Sequence, residues 1–290
     1  MHISAAVGLL TSFALALAKA APSPEHVLTP GGYRPRYTVH AIPAGGSLAH
    51  SGSEIQVLAA NGSIVTTAVH PSNPKTSAPR TRALETDGWI AYAWWLNPGL
   101  APISSFTTTW EVPPVPATDH GQTVFLFNGL QPNGSSAILQ PVLQYGPSNA
   151  GGGSFWAVAT WYVDGTGHAF FTTPVPVTTG TTLDATVTLT GTNGSSSFSY
   201  NSQFSNIPGT SMNITGVPEL TFAMETLEAY GVTAISDYPA GFTVFSGIDL
   251  RLVEGATPSM SWSFEDDMAD GVLLAVDKDG PTDAQMTITY

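Results

Sequence analysis

The chain has 290 residues, no cysteine and a formal net charge of −13 at pH 7. The lack of cysteine excludes disulfides and thiol chemistry, so the fold must be stable through its core alone. Residues 83–290 carry two basic and nineteen acidic side chains, a net charge of −17, which disfavours nucleic acid as a partner. Such acidity also suits a protein that works at low pH, where protonated carboxylates no longer repel one another.

Residues 1–20 have the pattern of a secretory signal peptide. An apolar run over residues 5–18 leads into Ala18-Lys19-Ala20, which fits the small-x-small cleavage rule. No later stretch is long and apolar enough to span a bilayer, so we expect a secreted, extracellular protein with no membrane partner. Export through a glycosylating pathway also agrees with four N-x-S/T sequons, at Asn61, Asn133, Asn193 and Asn213.

Residues 21–82 differ in composition from the remainder of the chain. They are rich in proline and glycine, carry five of the eight basic residues, and end in PKTSAPRTR, which is typical of a cleavable linker. We interpret the segment as a basic propeptide, whose positive charge can lie on the acidic domain C-terminal to it. The alternative is a disordered extension.

From residue 88 onward the sequence is typical of an all-β protein. Short runs rich in Val, Thr, Phe and Trp are separated by clusters of Gly, Pro, Asn and Ser. Helical periodicity is nearly absent, and the turn signals recur at spacings typical of a sandwich or barrel. We therefore predict one all-β domain over residues 83–290, built as a two-sheet antiparallel β-sandwich.

Two predicted strands carry polar side chains within apolar runs. Strand parity puts Gln140 and Gln144 on one face of the first strand. In the second strand it puts Glu225 and Glu228 on opposite faces, which disfavours a glycosidase, because two carboxylates must flank one scissile bond. A carboxylate on an apolar face can act as a general acid or base in acidic surroundings. The alternative is that these side chains simply face solvent.

Other catalytic arrangements find little support in the sequence. Residues 83–290 contain two histidines, His120 and His168, without zinc-ligand spacing, and no nucleophile elbow. The acidic stretch at residues 263–271 lacks the ligand spacing of an EF-hand loop. We therefore predict neither a metal ion nor an organic cofactor.

Six short motifs follow one another from about residue 103 to the C terminus: FTTTWEVPPVP, FLFNGLQ, AILQ, TWYVDG, TLEAY and MTITY. In the same order they resemble motifs of the eqolisins, the fungal glutamic peptidases whose catalytic pair is a glutamine and a glutamate. AILQ, Ala137 to Gln140, matches the family letter for letter, and Gly129 matches the glycine of the family's Trp-Val-Gly-Ile-Asp segment. Three acidic positions of the family are occupied here by Gln131, Thr160 and Ala229.

The resemblance implies an eqolisin-like, or concanavalin A-like, sandwich made as a zymogen, acting on polypeptides in acid. It puts the catalytic pair at Gln140 and Glu228. Glu228 is then expected to take a proton from the attacking water and later protonate the leaving amine. Gln140 is expected to position that water and to donate a hydrogen bond to the oxyanion. We expect a monomer with polypeptide substrates and its own propeptide as partners.

Candidate substrate-binding residues are Trp110, Trp161, Tyr162 and Gln131, although the aromatic side chains among them are equally compatible with a core. Two alternative functions remain open, because a sandwich fold does not fix function. One is a non-catalytic, lectin-like carbohydrate-binding module. The other is a polysaccharide-degrading enzyme, which requires a second carboxylate beside Glu228.

Overall fold

The computed structural model describes residues 25–69, 88–266, 268 and 271–290. The predicted signal peptide and the linker that ends at Arg82 lie outside these residues. The only helices in the described part are three short 3₁₀ turns, at Arg36–Thr38, Ile235–Asp237 and Val253–Gly255. None of the described helices has the length and apolar character needed to cross a membrane.

The described strands are numbered in chain order. Residues 25–69, the N-terminal segment, contain six: β1 (His26–Thr29), β2 (Gly32–Pro35), β3 (Val39–Ala41), β4 (Ser47–Ser51), β5 (Glu54–Leu58) and β6 (Ile64–Val69). The remaining strands are β7 (Gly88–Leu96), β8 (Ile103–Glu111), β9 (Thr123–Gln131), β10 (Ile138–Tyr145), β11 (Trp156–Val163), β12 (Ala169–Phe171), β13 (Val175–Pro176), β14 (Thr182–Asn193), β15 (Ser197–Phe204), β16 (Met212–Val217), β17 (Phe222–Tyr230), β18 (Phe242–Leu252), β19 (Ser263–Asp266), β20 (Leu273–Lys278) and β21 (Ala284–Thr289).

Two large sheets pack against each other. Sheet I has the order β19-β7-β17-β9-β10-β11-β12-β3, with β13 also paired to β11. Sheet II has the order β20-β21-β18-β8-β14-β15-β16-β4-β5-β6. The predicted all-β, two-sheet sandwich is confirmed. Its pairings are antiparallel, apart from the parallel pairs β3–β12 and β4–β16, both of which involve the N-terminal segment.

The N-terminal segment is folded onto both sheets. Strand β3 extends sheet I beyond β12, and β4, β5 and β6 extend sheet II beyond β16. Strands β1 and β2 form a separate antiparallel hairpin, the N-terminal hairpin. The alternative of a disordered extension therefore does not describe residues 25–69, and both sheets include residues that precede the boundary predicted at residue 83.

Side chains of sheet I alternate between two buried faces. The inner face, with Leu126, Leu139 and Leu227, packs against sheet II. The outer face has its own apolar cluster, which includes Leu28 of the N-terminal hairpin. Strands β10 and β11 are buried along their whole length because both of their faces are covered.

Pro141 lies in the interior of sheet I, where proline is uncommon because it cannot donate to the strand ladder. Its partner on β11 is Thr160. The backbone N–H of Thr172 donates to the carbonyl of Thr160 at 3.0 Å, and the N–H of Thr160 donates to Oγ1 of Thr172 at 2.9 Å. Both backbone polar groups of Thr160 therefore point toward Thr172, and the pairing of β10 with β11 at this position does not require an N–H from Pro141.

Candidate functional site

A buried carboxylate lies on the outer face of sheet I beneath the N-terminal hairpin. Glu228, on β17, is fully buried. Its Oε1 accepts a hydrogen bond from the backbone N–H of Gly31 at 2.7 Å and another from the hydroxyl of Tyr230. The ring of Tyr33, also in the hairpin, packs edge-on against the ring of Tyr230 with centroids 6.0 Å apart. The hairpin thus covers the one face from which a ligand could reach this carboxylate.

The turn between β1 and β2 has a conformation that lets the backbone of Gly31 approach Glu228 closely. Thr29 and Gly32 pair at the end of the ladder, leaving Pro30 and Gly31 as the turn residues. Gly31 has φ of 83°, and proline followed by a glycine of positive φ is the signature of a type II turn. The hairpin is also attached through the N–H of Asn149, which donates to the carbonyl of Leu28 at 2.9 Å. Arg36 Nη1 reaches Oδ1 of the same asparagine at 3.4 Å.

Gln140 lies on the same outer face, in apolar surroundings. It is 1 % exposed, and neither atom of its amide has a hydrogen-bond partner among the described residues. The same is true of Nε1 of Trp161, its partner on β11, and of Oγ1 of Thr226 on β17. A buried polar group without a partner costs about 1–3 kcal/mol. Such groups also occur between the sheets, as at Nε1 of Trp110, so on their own they do not mark a binding surface.

The structure does not bring Gln140 and Glu228 together. Strand β9 lies between their strands, and the registers align Glu228 with Phe125 but Gln140 with Gly129. Four residues along a strand span ~13 Å and two strand spacings ~10 Å, so the two Cα atoms are ~16 Å apart. The residue of β17 level with Gln140 is Met224. A shared water requires both side chains within hydrogen-bond reach of it, which this offset does not allow.

Gln144, not Gln140, is the glutamine level with Glu228, and it has a structural role. Its partner on β9 is Phe125, which also pairs with Glu228. Its Nε2 donates to the carbonyls of Gly146 and Gly151 at 2.7 and 2.9 Å, and its Oε1 accepts from Ser148 at 2.9 Å. The amide of Gln144 thus holds the loop that contacts the N-terminal hairpin.

Two of the predicted substrate-binding residues are core residues instead. Trp110 lies between the sheets, with its ring edge-on to Phe204 and Phe245 at centroid distances of 5.6 and 5.1 Å. Tyr162 also points to the inner face and stacks with Phe170. Burial raises the pKa of the Tyr162 phenol well above its usual value, so it stays neutral. Both side chains lie on inward-facing strand positions, which agrees with the core alternative that the sequence left open for them.

The other two candidates lie on the outer face. Trp161 is fully buried there, and its ring packs against Phe171 at 4.9 Å. Gln131 is partly exposed at the end of β9, beside Phe222. Both are therefore on the face that carries Glu228 and Gln140.

The sequence analysis missed a row of half-buried aromatic side chains beside Glu228. Trp89, Tyr92 and Trp94 follow one another along β7, with neighbouring ring centroids 5.2 and 5.3 Å apart. Glu228 pairs directly with Trp89, whose ring also contacts Phe127 at 6.5 Å. This row could not be predicted because the stretch GWIAYAWW does not show that its strand, β7, pairs with β17.

The second glutamate of β17 lies on the face opposite to Glu228, as strand parity predicted, and this face is the inside of the sandwich. Glu225 is fully buried on the inner face, and its Oε1 accepts a hydrogen bond from the hydroxyl of Thr108 on sheet II. Burial raises its pKa well above the ordinary value, so the group is a neutral acid. It is level with Asn128, whose amide has no partner among the described residues.

Two of the three positions where the family's acidic residues are replaced also face inward. Thr160 is fully buried and its hydroxyl contacts the carbonyl of Ser202 on sheet II. Ala229 belongs to the same inter-sheet core. Neither position is therefore on the outer face with Glu228. Gln131 is on that face, but it is level with Phe222, six residues from Glu228 along β17.

The two histidines of residues 83–290 belong to different regions. Nδ1 of His120 lies 2.8 Å from Oδ1 of the buried Asp237. His168 instead lies beside His40 of the N-terminal segment. Among the residues that the structure describes, no three His, Asp or Glu side chains form a group that could hold a metal ion.

The sequence matches no known family model and no curated protein sequence. Among solved structures, it is similar to Scytalido-glutamic peptidase with a peptide-based transition-state analog, at 13 % identity and a TM-score of 0.47. A second is SCP-B, a member of the eqolisin family of peptidases, in a complex with the tripeptide Ala-Ile-His, at 14 % identity and a TM-score of 0.45. Each match covers 71 % of this chain and 98 % of the other. The likeness is one of backbone fold, and no residue role is transferred through it.

Proposed function

We propose that this protein is a secreted, acid-active endopeptidase made as a zymogen, with Glu228 as its proton-transfer group. The observation that carries the proposal is the hydrogen bond from the Gly31 N–H to Glu228, made by a hairpin that buries the carboxylate completely. A peptide N–H already contacts this carboxylate, so the same face can receive the backbone of a polypeptide substrate once the hairpin has moved.

In this proposal the residues of the outer face have separate tasks. Glu228 takes a proton from a water that attacks the scissile carbonyl and returns it to the leaving amine. The Tyr230 hydroxyl fixes the orientation of the carboxylate. Gln140 and Trp161, whose side-chain polar atoms have no partner in the described part of the chain, donate hydrogen bonds to substrate carbonyls farther along the outer face. Because of the register offset, we assign Gln140 to substrate binding instead of to the water that Glu228 activates.

The row formed by Trp89, Tyr92 and Trp94 supplies subsites for apolar side chains of the substrate. The three rings are half-buried, and their strand is directly paired with β17. An extended peptide places alternate side chains on one side at intervals of roughly 7 Å, which a row of rings along a strand can receive.

The basic residues of the chain provide a specific way to test the proposal. Trypsin can cut after Lys75, Arg80 or Arg82, and the next basic residue is Arg251, within β18. After such cleavage and acid treatment, we expect wild-type protein to hydrolyse a denatured protein substrate between pH 2 and 5 in the presence of pepstatin. The Glu228→Gln variant, treated identically, should lose activity by at least ~100-fold, because it lacks a general base.

The Gln140→Ala variant distinguishes the two roles considered for Gln140. Loss of one ordinary hydrogen bond to substrate lowers kcat/KM by up to about tenfold. Loss of an oxyanion donor lowers kcat by about 100- to 1,000-fold. We expect the smaller effect. Full activity of Glu228→Gln contradicts the proposal, as does an inactive wild type whose N-terminal segment has been removed, confirmed by mass spectrometry.

A second candidate function is carbohydrate binding without catalysis. It is favoured by the half-buried aromatic row, since aromatic rings stack on sugar faces. It is also favoured by the residue of β17 level with Gln140, which is Met224 and not the glutamate of a catalytic pair. Glycan binding by the trypsin-treated protein, lost in a Trp89→Ala variant and accompanied by no hydrolysis, supports this candidate. The alternative of a polysaccharide-degrading enzyme requires a second carboxylate beside Glu228. Glu225 does not provide it, because its carboxyl group lies on the opposite face of β17.

A further inference from the structure

Two histidines join the N-terminal segment to the edge of sheet I. His40 belongs to β3, and His168 directly precedes β12, its parallel partner. Nε2 of His40 lies 3.3 Å from Nδ1 of His168, and the two rings stack with centroids 5.6 Å apart. Nε2 of His168 lies 3.3 Å from the carbonyl oxygen of Val69. Both ring nitrogens of His168 therefore contact the N-terminal segment, one at β3 and one at the end of β6.

The two contacts limit how many protons the pair can hold. A carbonyl oxygen can only accept, so Nε2 of His168 carries a hydrogen. Nδ1 of His168 and Nε2 of His40 share one hydrogen, which either nitrogen can carry while the other accepts. When both rings are protonated, two ring N–H groups face each other across this contact and the hydrogen bond is lost.

The charged and titratable groups around the pair do not remove this conflict. Burial and, to a smaller extent, His168 lower the pKa of His40 below its ordinary value of 6.5, while Asp164 acts in the opposite direction. Oδ1 of Asp164 already accepts the backbone N–H groups of residues 166–168. Asp164 therefore closes the turn before β12, and its single negative charge does not balance two imidazolium rings.

The remaining neighbours of the pair are aromatic rings. Phe170 stacks on His40 with centroids 5.2 Å apart and is also near His168. Behind it lie Tyr162, which is neutral, and His50 of β4, whose ring is edge-on to Tyr162. Apolar rings solvate a charged pair poorly, and a further histidine adds another positive charge in acid.

We propose that His40 and His168 form a pH-sensitive latch that holds the N-terminal segment on sheet I at neutral pH and releases it in acid. After release, each imidazole can bind a proton, one on the segment and one on sheet I, whereas the docked pair holds at most one. Docking is therefore fully favourable above pH 6.5 and weakens as the pH falls below that value. A difference of one bound proton changes the docking equilibrium by up to about tenfold per pH unit.

The latch does not depend on the peptidase activity proposed above. If that activity is correct, release in acid uncovers Glu228 under the conditions in which the enzyme works. If it is not, the latch still controls access to the outer face, and its test measures docking alone.

Hydrogen–deuterium exchange of the intact chain measures docking directly. The N–H of Ile42 donates to the carbonyl of Phe171, so peptides covering residues 38–45 report on the contact between β3 and β12. After correction for the intrinsic effect of pH on exchange, we expect protection of these peptides to fall by up to about tenfold per unit between pH 6.5 and 5. Wild-type protection that stays constant over this range overturns the proposal.

Glutamine variants test whether the two imidazoles are responsible. Glutamine donates and accepts hydrogen bonds but does not titrate, so the double variant His40→Gln/His168→Gln should show a flat profile while keeping β3 docked. His120→Gln is the matched control, because His120 contacts Asp237 in another region, and it should keep the wild-type slope. A double variant with the wild-type slope overturns the assignment of the latch to this pair.

Discussion

Replacement of Glu225 by glutamine should stabilise the protein at neutral pH and remove most of the loss of stability that accompanies a rise in pH. The wild-type carboxyl group is neutral in the folded state because burial between the sheets raises its pKa well above 4.5. In the unfolded chain it ionises near that ordinary value. Between pH 4.5 and the pKa of Glu225 in the folded state, the carboxyl group is ionised only in the unfolded state. Each rise of one pH unit in this range therefore lowers the free energy of unfolding by up to about 1.4 kcal/mol.

The sign of this effect is opposite to that of a carboxylate stabilised by a salt bridge. Below pH 4.5 Glu225 is protonated in both states and its full contribution is present. That contribution is lost as pH rises, which favours an acidic working range independently of the catalytic chemistry. Glutamine keeps an acceptor for the Thr108 hydroxyl and has no proton to lose.

Urea denaturation at pH 4, 5.5 and 7 measures the effect for wild type and Glu225→Gln. Glu111→Gln, at an exposed glutamate that ends β8, is the matched control and should follow the wild type. Equal slopes for wild type and Glu225→Gln would show that the buried acid does not govern the pH dependence.

The second prediction with a large expected effect compares a tryptophan in the core, Trp110, with one on the outer face, Trp89. Trp110→Ala should lower the free energy of unfolding by about 3–5 kcal/mol, because it empties a site enclosed by Phe204 and Phe245. Trp89→Ala removes a half-buried ring at the cleft and should cost considerably less stability. It should instead raise KM for polypeptide substrates, since the ring lies beside Glu228.

Denaturation curves and steady-state kinetics on both variants check this contrast. Trp110→Phe keeps an aromatic ring in the core and serves as the conservative control, with a smaller loss of stability. If Trp89→Ala destabilises the protein as much as Trp110→Ala and leaves KM unchanged, Trp89 belongs to the core and the proposed subsites are wrong.

The sandwich and the separation of the two glutamates could be predicted because both depend on local sequence. Turn residues separate short runs of β-forming residues, and alternation within one strand puts Glu225 and Glu228 on opposite faces whatever the partners are. The face of Tyr162, in β11, could not be assigned in the same way. In β10 and β11 every residue is buried, so alternation between polar and apolar residues no longer marks the inner face.

The position of Gln140 relative to Glu228 could not be predicted from the sequence, for a different reason. It depends on the registers of β10 with β9 and of β9 with β17, and β17 follows β9 by about ninety residues in the chain. A motif match fixes positions along a chain but not the level of one strand against another. The strands of the N-terminal segment were missed because its proline and glycine content is typical of a linker.

The parallel pairing of the N-terminal segment with both sheets has a consequence for folding. Strands β3 and β4 cover backbone edges of β12 and β16 that an isolated residue 83–290 chain would leave exposed. Open edges can template pairing with other molecules, and the segment covers two edges that would otherwise be open to such pairing. If the segment is cut away, as proposed above, the chain no longer carries the strands that cover these edges. We therefore expect a matured molecule to persist through slow unfolding, and to refold poorly after denaturation.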